Sequence, residues 1–144
     1  MKMHCLEIQK EYSVPAQVVF DAWLNPDLIR LFMCPADGVT VPSPAVDAKV
    51  GGKFLFDMKI GPDKSLPHKG EYRIINRPKQ LQFTWSSINT NNEDSLVTID
   101  IEDTGSNSCL LKLKHELLPT ENSRKDHNGG WNNILKTLNE KLSL

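Results

Sequence analysis

At 144 residues the chain is long enough to build one domain, residues 1–144, around a substantial core, and its 39% hydrophobic and 24% charged residues are those of a soluble globular protein. A net charge of −1 leaves no basic excess for phosphate contacts, so nucleic acid is not an expected partner. No apolar run reaches the length of a membrane span, the charged opening MKMHCLEIQKEY lacks a signal-peptide core, and three dispersed cysteines without C-x-x-C spacing read as reduced thiols, so a cytoplasmic protein is expected.

Residues 3–12 alternate as a half-buried strand, with Leu6, Ile8 and Tyr12 on one face. Ser13 offers a helix cap and Pro15 suits a first turn, predicting a helix from about Pro15 to Leu24 with Val18, Val19, Ala22 and Trp23 as its buried stripe. Asn25-Pro26 restarts the pattern, and a second short helix over about Asp27 to Met33 carries Leu28, Ile29, Leu31 and Phe32. Pro35 ends it, because the residue before a proline is pushed out of the helical region. Val39 and Val41 suggest a short edge strand beside Pro42 and Pro44. After the Gly51-Gly52 turn, Lys53 to Ile60 alternates strictly, with Phe54, Phe56, Met58 and Ile60 inward. Residues 64–68 show no pattern and read as loop. Gly70 to Ile75 forms a strand with Tyr72 and Ile74 on one face, and Leu81, Phe83 and Trp85 form the inner face of the next. Val97, Ile99 and Ile101 alternate with polar residues up to a Thr104-Gly105-Ser106-Asn107 turn. Cys109, Leu111, Leu113 and His115 then share one face of a last strand.

Ser123 and Asp126 have capping-box spacing, which predicts a helix from about Arg124. Within it, Trp131, Ile134, Leu135, Leu138 and Leu142 fall on one stripe. Consecutive strands joined by short turns imply an antiparallel meander, so the class is α+β, with the long last helix as cover for the sheet.

In this order the elements resemble the SRPBCC or START-like helix-grip superfamily, and more narrowly the activator of heat-shock-protein-90 ATPase homologue family. The residues that carry the resemblance are Val18 to Trp23 with Asn25-Pro26-Asp27, Val50-Gly51-Gly52-Lys53-Phe54, and Gly70-Glu71-Tyr72-Arg73. Pro78 with Leu81, Phe83-Thr84-Trp85, and His127-Asn128-Gly129-Gly130-Trp131 complete it. The resemblance implies a helix-grip fold: a curved antiparallel sheet of about six to seven strands wrapped around the C-terminal helix, with two short helices after strand one. Where relatives often carry a W-W-G-P type sequence, this chain has Leu31-Phe32-Met33-Cys34-Pro35. Fold alone does not fix function in this superfamily.

The resemblance also implies a cavity between the concave face and the last helix. The residues placed to line it are Trp23, Phe32, Phe56, Met58, Tyr72, Trp85, Leu113, His115, His127 and Trp131. An inward set so rich in large side chains can equally be solid packing. His115, His127 and Tyr72 are the polar candidates, and a histidine there could act as general base or hydrogen-bond a bound carbonyl. A lone inward histidine is more often satisfied within the core, and His127, in the first turn of its helix, is expected to be partly exposed. Gly129 and Gly130 weaken a helix interior. Either the backbone there approaches the sheet or a ligand closely, or the regular helix begins later. No cofactor is expected: there is no G-x-G-x-x-G or phosphate loop, and the cysteines and histidines are too dispersed to argue for a metal.

Three functions compete. The first is a binding protein for a small hydrophobic or amphipathic molecule such as a lipid or polyketide. The second is a cyclase- or hydrolase-like enzyme using His115, Tyr72 or His127. The third is contact with a chaperone ATPase. The family's activators resemble a longer two-domain design, for which a chain of this length has no room.

Overall fold

A computed structural model describes residues 3–142. The expectation of one domain over residues 1–144 extends to residues 1, 2, 143 and 144, which lie outside the described residues.

The chain runs β1 (His4–Tyr12), α1 (Ala16–Ala22), α2 (Pro26–Phe32), β2 (Ala45–Val46), β3 (Lys53–Gly61), β4 (Lys64–Asn76), β5 (Gln80–Trp85), β6 (Ser95–Gly105), β7 (Ser108–Leu118) and α3 (Glu121–Leu142). The strands form a seven-stranded sheet in the order β1-β7-β6-β5-β4-β3-β2, every pair antiparallel. This is the α+β helix-grip architecture. Alternating apolar residues build the inner face: Leu6 and Tyr12 from β1, Phe54, Phe56 and Met58 from β3, Leu81, Phe83 and Trp85 from β5 are all buried. Val97, Ile99 and Ile101 from β6 and Cys109, Leu111, Leu113 and His115 from β7 continue it. Against them α3 buries Trp131, Ile134, Leu135 and Leu138. The Tyr12 hydroxyl donates to the carbonyl of Leu135 at 3.0 Å, tying the edge strand to the middle of α3.

The short helices depart from expectation in their caps and faces. Ser13 does not cap α1. Its free Ala16 N–H donates instead to the Asp103 carboxylate, 2.8 Å away at the end of β6. The buried stripe of α1 is Ala16, Val19, Phe20, Ala22 and the following Trp23, while Val18 is exposed. Two stripes were available at helical spacing, and the one carrying the Phe20 ring faces the core. In α2, Asn25 caps as expected, its side chain accepting from the Asp27 N–H at 2.9 Å with Pro26 in the first turn. Ile29 and Phe32 are buried and Leu31 is exposed.

Four strand expectations need correction. The edge strand expected around Val39 and Val41 is a single bridge between Thr40 and Lys59, and the paired edge is β2, further on. Ile60 is exposed at the end of β3. A register shift between Tyr72 and Ile74 moves the inward face from Ile74 to Ile75, which pairs with Leu81 and packs on the core. Residues 64–68 are the first part of β4 rather than a loop. Only β3 pairs with this part, so Pro67 leaves no gap in a second ladder. The Gly51-Gly52 turn is as expected: Gly51 sits at φ +84°, and a Cβ on Gly52 would lie 2.0 Å from the Asp47 carbonyl oxygen.

The last helix begins earlier than its Ser-x-x-Asp spacing suggests. Thr120 is the cap, its hydroxyl oxygen accepting from the Ser123 N–H at 3.0 Å. At 22 residues, α3 is about 33 Å long and spans the sheet. No helix among the described residues is long and apolar enough to cross a membrane.

Candidate functional site

The β3–β4 hairpin outreaches β5. Strand β5 ends at Trp85, whereas β4 continues back through residues 64–68. Over this overhang the sheet is two strands wide, and the first half of α3 must cover it together with the Ile88–Thr90 turn and the loop after α2. The cover is incomplete, leaving a cavity of about 120 Å³. Met58, Leu66, His68 and Trp85 form its sheet side, and His127, Gly130, Trp131 and Ile134 its helix side. Pro35, Val39, Ile60, Asn89 and Asp126 close the rim.

Toward α1 and α2 the space under α3 is filled. Trp23, Met33, Phe54, Phe56, Tyr72 and Phe83 surround a void of about 10 Å³, no larger than one water needs. Phe54 is the hub, its ring centroid 4.7 Å from Phe56, 5.4 Å from Tyr72 and 5.4 Å from Phe83. Trp131 is the partition. It lies 6.0 Å from Trp23 on the filled side and 5.0 Å from Trp85 on the open side.

Of the ten residues expected to line a site, Met58, Trp85, His127 and Trp131 meet at the cavity. Trp23, Phe56 and Tyr72 belong to the filled aromatic end. Phe32 and Leu113 are buried in the core and border neither space, and His115 joins them.

The histidines divide by their partners. His115 is 0% exposed. Its Nδ1 accepts from the Trp131 indole N–H at 2.9 Å, so its proton is on Nε2, which donates to the Ser95 hydroxyl at 2.7 Å. Ser95 in turn donates to the Trp85 carbonyl at 2.5 Å. Both ring nitrogens are occupied, so this ring orients Trp131 and has no lone pair left for a base's work. Burial, with His127 nearby, holds its pKa well below the ordinary histidine value.

His127 is buried, not partly exposed, because α3 starts early enough to place it in the second turn. Its ring lies 4.8 Å from that of His115. Nδ1 donates to the Ser123 carbonyl at 2.7 Å, and the Ser123 hydroxyl donates to the Asn89 carbonyl at 2.5 Å, fastening the Ile88–Thr90 turn to α3. A carbonyl can only accept, so the proton is on Nδ1 and the lone pair on Nε2. His68 repeats the arrangement: Nδ1 donates to the Leu66 carbonyl at 2.9 Å. Nε2 of His127 has no hydrogen-bond partner among the described residues, whereas the His68 ring also meets the Phe56 backbone, its register partner on β3. Burial lowers the pKa of both rings, favouring the neutral form.

His68 is not among the expected site residues, because residues 64–68 read as loop in sequence. The signal was present: Leu66, His68, Gly70 and Tyr72 keep a period of two, extending the recognised strand backwards. Two indole N–H groups, on Trp23 and Trp85, are buried without a partner among the described residues. Gly130 resolves the helix glycines. A Cβ there would lie 3.2 Å from the Cβ of Pro35, so the helix approaches the loop after α2 closely at this point, whereas Gly129 faces open space. The described residues contain no group of three or more metal-ligating side chains placed to hold an ion.

The profile of the family described as activator of Hsp90 ATPase homolog 1-like protein matches residues 13–143. The chain belongs to this family. Similar solved structures include a protein of Chromobacterium violaceum, 19% identical, with a TM-score of 0.87 and 97% of each chain covered. The AHSA1 protein of Silicibacter pomeroyi is 22% identical, with a TM-score of 0.83, covering 97% of this chain and 98% of that one. A Plasmodium falciparum protein described as an HSP90 activator is 27% identical, with a TM-score of 0.77 and 96% of each chain covered. No curated protein matches the chain significantly in sequence.

Proposed function

We propose that this family member is a binding protein for a small, largely apolar molecule held between the β3–β4 overhang and the first half of α3. The observation that carries the reading is the cavity itself: apolar and aromatic walls from Met58, Leu66, Trp85, Trp131 and Ile134, with two buried histidines among them. Apolar pockets with a few placed polar groups are the usual form of a small-molecule site. At about 120 Å³ it suits a ring-sized molecule. A lipid chain or polyketide needs the loop after α2 and the Ile88–Thr90 turn to move outward. The reading takes the chain as one domain in a reducing, cytoplasmic setting, with three free cysteines.

The test is heteronuclear NMR on the full chain with a panel of ring-sized apolar compounds. The indole N–H signals of Trp85 and Trp131 are expected to shift while Phe54 and Tyr72 signals stay in place. No shift with any compound at millimolar concentration removes the reading.

A second reading, contact with a chaperone ATPase, is favoured by the likeness to the Plasmodium falciparum protein over 96% of both chains. Its test is the ATP turnover of a heat-shock-90 chaperone with and without the protein; an unchanged rate at saturating protein retires it. An enzyme reading built on His115 is disfavoured by its two occupied nitrogens.

A further inference from the structure

The polar groups of the cavity restrict what it can hold. A neutral histidine offers either a donor or an acceptor at a given nitrogen according to its tautomer, and here the backbone has settled the matter. His68 and His127 each spend Nδ1–H on a carbonyl, at 2.9 Å and 2.7 Å. Both rings line the same cavity, one from the sheet and one from the helix. What His127 leaves for a ligand is the lone pair on Nε2, while the His68 ring is also held by the Phe56 backbone. No lysine or arginine lines the cavity, and the one carboxylate, Asp126, is on an exposed residue at the rim. The Trp85 N–H, without a partner among the described residues, is a neutral donor, so without a cation an anionic ligand has nothing to neutralise it and meets like charge at the entrance.

We infer that the ligand of this cavity is a neutral, ring-sized molecule bearing a hydroxyl, of the phenol class, whose O–H donates to a histidine Nε2 while its ring packs between Trp85 and Trp131. The inference rests on the binding role proposed above and narrows it. Size supports the ring: an apolar cavity of about 150 Å³ in another protein admits benzene, and this one is comparable. Burial keeps the histidines neutral against the surrounding acidic charges. Asp57 on β3 and Asp126 on α3 are the acidic groups whose fields reach His68 and His127 and favour protonation, and burial outweighs them.

Phenol, benzene and benzoate titrated against the wild-type chain at neutral pH, followed by the Trp85 and Trp131 indole signals, test the assignment. Phenol is expected to bind about fivefold more tightly than benzene, the worth of one net hydrogen bond. Benzoate is expected not to bind. In the His68→Leu, His127→Leu double variant the preference for phenol should vanish while benzene still binds, and Asp126→Asn should keep it. Benzene binding as tightly as phenol, or benzoate binding more tightly, overturns the hydroxyl assignment but leaves the binding role intact. Loss of the preference in Asp126→Asn with retention in the histidine variant also overturns it. Failure of all three compounds to shift either indole strikes the binding role itself. The wild-type comparison needs no variant to fold.

Discussion

The two ends of the space beneath α3 are built from the same kinds of side chain and differ in how they are closed. At one end Trp23 and Met33, which directly follow α1 and α2, meet Phe54, Phe56, Tyr72 and Phe83, and the remaining void is about 10 Å³. At the other, the β3–β4 hairpin extends past the end of β5, and loops stand in for helices. The result is about 120 Å³ of space beside His68 and His127. Close packing needs regular elements that can interdigitate on both sides. A sheet overhang roofed by half a helix, a single turn and a proline-bearing loop does not provide them. Trp131 marks the border, which gives its hydrogen bond to His115 a purpose: it fixes the partition between filled and open space.

The widest separation between the two ends should appear in stability. Phe83→Ala removes a ring from the filled end and is expected to cost about 3–5 kcal/mol in urea unfolding. Leu66→Ala at the half-buried wall of the cavity should cost about 1 kcal/mol, because space is already present there. Equal losses would show that the two ends are packed alike.

The histidines should divide next. His115→Leu strands the Trp131 indole N–H in the core, and is expected to cost about 2 kcal/mol. His127→Leu forfeits one bond to the Ser123 carbonyl, worth about 1 kcal/mol. A mobile Trp131 side chain in the His115 variant, seen as broadening of its indole signal, would complete the contrast. If His127→Leu proves the more costly, His115 is not the residue that holds the partition.

Acidification gives the finest comparison. His68, His115 and His127 all have pKa values lowered in the folded chain, chiefly by burial. Between the folded and unfolded pKa values the unfolded chain therefore binds more protons, so stability rises with pH. The contribution is complete above about pH 6.5, the unfolded value, and is lost as pH falls below it. Each histidine that stays neutral adds a slope of about 1.4 kcal/mol per pH unit in that window. Urea unfolding at pH 7 and pH 5.5 measures it, and His115→Leu should flatten the dependence more than His127→Leu. A stability independent of pH in this range would mean that the three rings are solvated.

The fold was legible because its information is local. Alternation in Leu81-Gln82-Phe83-Thr84-Trp85 or Val97-Thr98-Ile99 states which face is buried whatever lies against it, and the α3 stripe from Trp131 to Leu138 does the same at helical spacing. What stayed hidden depended on distant partners. Residues 64–68 look irregular alone and become strand because β3 is there to pair with them. Asp103 caps α1 from 87 positions away, where Ser13 stood next to it.

The site divides in the same way. The sequence alone established a helix over a sheet lined with aromatic residues, and it named Met58, Trp85, His127 and Trp131 among those facing inward. Only the tertiary structure decided that one end of this lining is solid and the other open, since a void is set by the lengths of neighbouring strands and the elements that roof them. It also decided which histidine is spent. In sequence His115 reads as inward and His127 as partly exposed, yet both are buried, and one meets Ser95 and Trp131 with both nitrogens while the other leaves Nε2 to the cavity. Hydrogen-bond partners drawn from separate strands and helices settle that difference, and no local pattern records them.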